Sequence, residues 1–229
     1  MSKLHQRIQK IEENILATCD KVGRKRSEIN VVAVTKSVSS TRAQSVIEAG
    51  ISDLGENRPE GLVQKRKDIN TEVTWHYIGN LQSRKVRDVV DDIGFLHSLS
   101  RTSIAKELQK RASKTVNCFV QVNVSGEASK SGVTPEALED FINEIAVYDK
   151  IRVVGLMTMA PHTDDEEIIR AVFKEMRELR DRIHALKLTH APCTDLSMGM
   201  SNDYMIAIEE GATYLRIGTA LVGEESEED

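Results

Sequence analysis

The feature that most constrains this chain is a pattern running along its whole length. A short apolar or mixed segment is followed by a longer stretch with helical spacing, and then by another short segment. Eight short segments can be read, at residues 31–36, 51–55, 74–78, 93–97, 116–124, 151–157, 194–198 and 213–217. The first, Val31-Val32-Ala33-Val34, has no polar alternation, which suits a strand covered on both faces, as in parallel sheets walled by helices. The intervening stretches carry helix signals. Ser39 or Ser40 caps a segment bearing Ala43, Val46, Ile47 and Ala49, and Gly50 stops it. The segments 100–113, 135–148, 164–186 and 201–210 each open on a capping or first-turn residue. Ahead of the first strand, Leu4, Ile8, Ile11, Ile15 and Val22 recur at helical spacing up to Gly23.

Eight strands separated by seven helices, with one further helix in front, predict an α/β fold. The matching architecture is a single TIM (β/α)8 barrel with an extra N-terminal helix, its last helix moved or missing. An open doubly wound sheet is the alternative, but it calls for a glycine-rich turn after the first strand. Lys36-Ser37-Val38-Ser39 stands there instead. The 229 residues fall near the roughly 250 typical of such barrels. No linker or repeat divides the chain, so residues 1–223 read as one domain, followed by an acidic tail, 224–229, expected to be disordered.

Composition narrows the function classes. No apolar run approaches the roughly 20 residues of a membrane span, and Met1 to Arg7 lead into no signal-like apolar region, so a cytoplasmic protein without membrane contact is expected. The formal charge of −5 argues against nucleic acid. The basic runs Lys65-Arg66-Lys67 and Arg84-Lys85-Arg87 have no stacking aromatics beside them and read as solvated helix faces. Cys19, Cys118 and Cys193 are odd in number and far apart, which suits reduced packing thiols better than disulfides, and no metal site is expected.

In a barrel of this kind the chemistry sits where the strands end. Lys36 closes the first strand. A lysine there either extends its ammonium to water or is desolvated and acts as a nucleophile. Ser197-Met198-Gly199 and Gly218-Thr219 follow the last two strands, where backbone N–H groups and hydroxyls commonly hold phosphate. Arg216 points into the barrel; it either pairs with Asp195 or Glu56 or meets a ligand ring atom or carboxylate. An aldehyde-reactive amine, an anion cradle and an arginine between them are what a pyridoxal phosphate (PLP) site needs.

Several motifs then make the pattern specific. Val34-Thr35-Lys36, Gly55-Glu56-Asn57, Trp75-His76-Tyr77-Ile78-Gly79, Leu81-Gln82, Val124-Ser125 with Ser129-Lys130-Ser131-Gly132, Gly155-Leu156-Met157, Leu196-Ser197-Met198-Gly199-Met200-Ser201 and Arg216-Ile217-Gly218-Thr219-Ala220 span almost the whole chain. Together they closely resemble the pyridoxal phosphate homeostasis proteins, relatives of the N-terminal barrel of alanine racemase. The resemblance implies a barrel of the alanine racemase N-terminal type that binds PLP as a Schiff base on Lys36. By the same resemblance Asn57 lies near the ring's phenolic edge, Met157 packs near the ring, Ser197, Met198, Gly218 and Thr219 hold the phosphate, and Arg216 faces the pyridine nitrogen. The chain departs from the family at Arg58, where an aromatic is usual, and at Arg84-Lys85, where Asn-Lys is usual.

The family implies intracellular PLP homeostasis without substrate turnover, so no catalytic residue is assigned. PLP-dependent apoenzymes are the expected partners of a monomer. The alternatives are a PLP-dependent amino-acid racemase and a Schiff-base aldolase. A racemase needs a second proton donor, supplied in alanine racemases by an additional domain that is not expected here, and Tyr77 reads as a core packing residue and Tyr204 as a helix-surface one. His76 reads as a satisfied core histidine.

Overall fold

The computed structural model describes residues 2–126 and 131–225. Ser129 and Lys130, and residues 226–229 of the expected tail, lie outside them. Eight parallel strands are present: β1 (Asn30–Val34), β2 (Asp53–Glu56), β3 (Thr74–Tyr77), β4 (Phe95–Leu99), β5 (Val116–Gln121), β6 (Ile151–Met157), β7 (Asp195–Ser197) and β8 (Tyr214–Ile217). They close into a barrel in chain order. β8 pairs with β1, setting Val32 opposite Arg216 and Ala33 opposite Ile217. The helices are α1 (Lys3–Val22), α2 (Ser40–Glu48), α3 (Pro59–Asp68), α4 (Thr102–Arg111), α5 (Leu138–Glu144), α6 (Glu166–Ala185), α7 (Tyr204–Glu209) and α8 (Thr219–Val222).

The expected (β/α)8 architecture is therefore what the chain adopts, with two local differences. Between β3 and β4 the connection is a 3-10 segment, Ser83–Asp88, in place of an α-helix. The last helix is present but has only four residues, Thr219–Val222, too few to cover the strands beneath it. α1 takes over that cover, packing against α7 and α8. Its N-cap Ser2 accepts from the His5 amide, and its end is turned by Gly23 in the left-handed region at φ 69°, where glycine carries no steric cost. Leu4, Ile11, Ile15 and Cys19 are buried on its inner face. Asn14 Nδ2 donates to the Tyr204 hydroxyl at 2.8 Å, and Lys21 pairs with Glu209 at 2.6 Å, fastening α1 to α7.

Two cores result. The outer one lies between sheet and helices and contains most of the buried apolar residues, with the thiols of Cys19, Cys118 and Cys193 among them. Val32, Val34, Phe119 and Met157 are buried outside that cluster. The barrel interior also holds polar groups: His76, His97, Ser197 and Arg216 are all buried. That is unusual, because such interiors are commonly layers of branched apolar side chains. No helix among the described residues is long and apolar enough to cross a membrane.

Candidate functional site

A cavity of ≈ 840 Å³ opens where the strands end, lined by Lys36, Asn57, Gln121, Arg216, Gly218 and Thr219 together with the segments 159–164 and 200–203. Lys36 stands two residues beyond β1, exposed to solvent. Its neighbour Thr35 is buried and fixed on both sides. The Thr35 amide donates to Gly55 O at 3.0 Å, and its hydroxyl donates to Glu56 Oε1 at 2.6 Å. The same carboxylate oxygen meets Lys65 Nζ from α3 at 2.9 Å, in a pair with side chains only 8% and 2% exposed. A buried charge is tolerable only when paired and hydrogen-bonded, so this arrangement holds the β1 end rigid behind the amine.

Asn57 follows β2. Tyr77 donates its hydroxyl to Asn57 O at 3.3 Å, and the loop after β3 presses against the same carbonyl. A Cβ at Gly79 would lie 2.1 Å from Asn57 O, so only glycine permits this contact. Burial pushes the Tyr77 phenol up to about 12. The Tyr204 hydroxyl is engaged by Asn14 on α1, and neither tyrosine is among the residues lining the cavity.

Arg216 is 4% exposed and still reaches the cavity wall. Its Nη1 donates to Ser197 Oγ at 2.5 Å and its Nη2 to Thr158 O at 2.9 Å. Burial pushes the guanidinium down to about 10, against the opposing pull of Asp203. The two carboxylates considered as partners from the sequence are committed elsewhere. Glu56 is held by Thr35 and Lys65, and Asp195 accepts from Thr194 at 3.3 Å.

Of the eight residues expected at the site, the fold brings Lys36, Asn57, Arg216, Gly218 and Thr219 around one cavity, and leaves Met157, Ser197 and Met198 out of its lining. The reason is local. Ser197 is the last residue of β7 and turns inward to Arg216 and His97, while Met198 is fully buried. Gly199, at φ 93° and with Ala207 Cβ 2.7 Å from where its own Cβ would be, then turns the chain so that Met200, Ser201, Asn202 and Asp203 reach the cavity. Asp203 shapes that turn by accepting from the Met200 amide at 2.5 Å. On β6, Met157 is likewise buried, and the methionines in the lining are Met159, 42% exposed, and Met200. The signal for these residues was present in the polar run Ser201-Asn202-Asp203 ahead of a helix.

His76 is a satisfied core residue. Its Nε2 meets Asp53 Oδ1 at 2.9 Å and its Nδ1 meets His97 Nε2 at 2.9 Å. Among the described residues no group of three or more His, Cys, Asp or Glu side chains is arranged to hold a metal ion.

With this geometry in hand, comparison with known proteins identifies the family. Residues 7–226 match the family described as alanine racemase, N-terminal domain. A pyridoxal phosphate homeostasis protein of Aquifex aeolicus is 37% identical over 228 residues, covering 96% of this chain and 97% of the relative. The chain belongs to the pyridoxal phosphate homeostasis protein family. One solved structure similar to it is PipY of Synechococcus elongatus with PLP bound, at TM-score 0.84 and 25% identity, covering 96% of this chain and 100% of that one. An alanine racemase from Corynebacterium glutamicum shares the fold, at TM-score 0.70 and 18% identity. The match covers 92% of this chain but 60% of the racemase.

Proposed function

We propose that this chain binds pyridoxal 5'-phosphate reversibly as a Schiff base on Lys36 and serves intracellular PLP homeostasis without turning over a substrate of its own. The observation that carries the reading is that Lys36 and Arg216 line the same cavity. PipY, a structural relative with PLP bound, supports it. The residues fit the group: an amine, a buried cation, and two loops offering the Ser201 and Thr219 hydroxyls together with the Gly218 amide. When bound, the cofactor supplies an aldehyde to the amine and a phosphate to anchor it.

In this reading Lys36 is the covalent tether and Asn57 orients the phenolic edge. Gly218 and Thr219 hold the phosphate, joined by Ser201 in the role first expected of Ser197 and Met198. Arg216 faces the pyridine nitrogen. Held as a cation by Thr158 and Ser197, it disfavours a proton on that nitrogen and so weakens the ring as an electron sink. This suits storage better than carbanion chemistry. Neither Tyr77 nor Tyr204 lines the cavity, where a second proton donor would have to stand. The protein acts as a cytoplasmic monomer that supplies PLP-dependent apoenzymes.

The test is direct. The purified protein incubated with PLP turns yellow, borohydride fixes the added mass on Lys36, and Lys36→Ala abolishes that fixation. An unlabelled Lys36 after reduction overturns the tether. A racemase assay over the common amino acids gives no turnover; turnover that is lost in Lys36→Ala favours the racemase instead.

A further inference from the structure

A continuous line of hydrogen bonds runs along the barrel interior. It starts at Asp53, the first residue of β2, with a side chain 31% exposed at the end of the barrel opposite the cavity. It passes through His76 on β3 and His97 on β4 to Ser197 at the end of β7, and ends at Arg216 on β8. The links measure 2.9, 2.9, 2.8 and 2.5 Å in that order. We propose that Asp53, His76, His97 and Ser197 form a one-directional positioning relay that aims the Arg216 guanidinium into the cavity and connects it to solvent at the far end of the barrel. The functional half of this inference rests on Arg216 being the group that meets the cofactor ring.

Donor and acceptor chemistry fixes the direction. A guanidinium can only donate, and an ionised carboxylate can only accept. Arg216 therefore donates to Ser197 Oγ, leaving the Ser197 hydroxyl hydrogen for His97 Nδ1. His97 then carries its proton on Nε2 and gives it to His76 Nδ1, and His76 Nε2–H donates to Asp53. Each link is satisfied with both imidazoles neutral and both in the Nε2–H tautomer. The reverse direction leaves Ser197 Oγ facing two donors, with its own hydrogen unplaced.

The surroundings hold this state. His76 stacks on Phe95 at 4.6 Å with an interplanar angle of 1°, and His97 stacks on Phe119 at 4.5 Å and 30°, so neither ring is free to turn. The titratable groups around them are Asp53 from β2, Tyr214 and Arg216 from β8, and the two imidazoles themselves. Burial lowers both histidines below their ordinary value, the neighbouring His76 and Arg216 adding to the effect at His97. Burial, with Asp195 and Asp53 adding to it, pushes the Tyr214 phenol up to about 12, so Tyr214 stays neutral. An all-apolar interior would avoid the desolvation of four polar side chains. What the relay supplies in return is a fixed direction for Arg216.

Histidine- and arginine-selective 15N NMR on the full chain without PLP tests the relay independently of cofactor binding. At about pH 7, His76 and His97 both read as neutral Nε2–H tautomers. Asp53→Leu, at the partly exposed far end, shifts the His97 and Arg216 side-chain signals, while Asp53→Asn, which keeps an acceptor oxygen, leaves them as in the wild type. An Nδ1–H or doubly protonated His97, or Arg216 signals unmoved by Asp53→Leu, overturns the relay. In the cofactor arm, Ser197→Ala weakens PLP binding about tenfold, the factor corresponding to about 1.4 kcal/mol, and shifts the absorbance of the bound cofactor. Unchanged PLP affinity and spectrum in a folded Ser197→Ala protein overturn the positioning role. Failure of the wild type to take up PLP counts against the proposed function, while the tautomer result still decides the relay.

Discussion

Lys65→Met isolates the support behind Lys36. Lys65 Nζ and the Thr35 hydroxyl converge on one oxygen of the buried Glu56 carboxylate, at 2.9 and 2.6 Å. The substitution removes the cation, keeps most of the side-chain volume and leaves a carboxylate in the interior with one neutral donor. Breaking one partner of a buried pair costs about 3–5 kcal/mol, and the surviving Thr35 hydrogen bond sets the expectation at the lower end, about 3 kcal/mol. For a chain of this size that corresponds to a fall in Tm of about 6–12 °C. Adding Glu56→Gln removes the unpaired charge and keeps an acceptor for Thr35, so the double variant recovers to within about 1 kcal/mol of the wild type. Urea unfolding of the wild type, both single variants and the double variant measures this cycle. A Lys65→Met protein within about 1 kcal/mol of the wild type would refute the view that Glu56 is a buried charge depending on this lysine. Because Thr35 precedes Lys36, Lys65→Met also lowers the fraction of PLP trapped by borohydride.

Three further outcomes follow from the same geometry. Gly79→Ala puts a methyl 2.1 Å from Asn57 O, so Asn57 must move and PLP affinity falls about tenfold or more in an absorbance titration; unchanged affinity removes Asn57 from the site. Burial lowers His76 and His97 from 6.5, so the unfolded chain takes up protons first on acidification. Their contribution to stability is complete above 6.5 and is lost as the pH falls from there toward the folded values. The slope is at most about 1.4 kcal/mol per pH unit for each ring. Urea unfolding between about pH 7.5 and 5.5 shows this loss, His76→Gln makes it shallower, and a flat profile contradicts it. Ile15 is fully buried on α1, and Ile15→Ala costs about 3 kcal/mol by denaturant unfolding; a cost below about 1 kcal/mol would mean that α1 is no part of the core.

The sequence by itself determined the sheet, most of the helices and the place of Lys36 at a strand end, because those depend on local periodicity and on the residue that follows each strand. Val31 to Val34 read as a strand covered on both faces, the α1 face was legible from Leu4, Ile11 and Ile15, and Lys36 fell at a strand mouth. Residue order could not fix which side chains the closed barrel brings together. His97 and Ser197 are 100 positions apart and meet at 2.8 Å, and Glu56 pairs with Lys65 on the following helix and not with Arg216. Tertiary structure also decided that Ser197 turns into the barrel and Met198 into the outer core while residues 200–203 reach the cavity, because Gly199 adopts a backbone angle that the strand pattern before it does not disclose. The physical reason is the same in each case. Strand and helix spacing is written within about ten residues of chain, whereas buried polar groups take whatever partner barrel closure supplies.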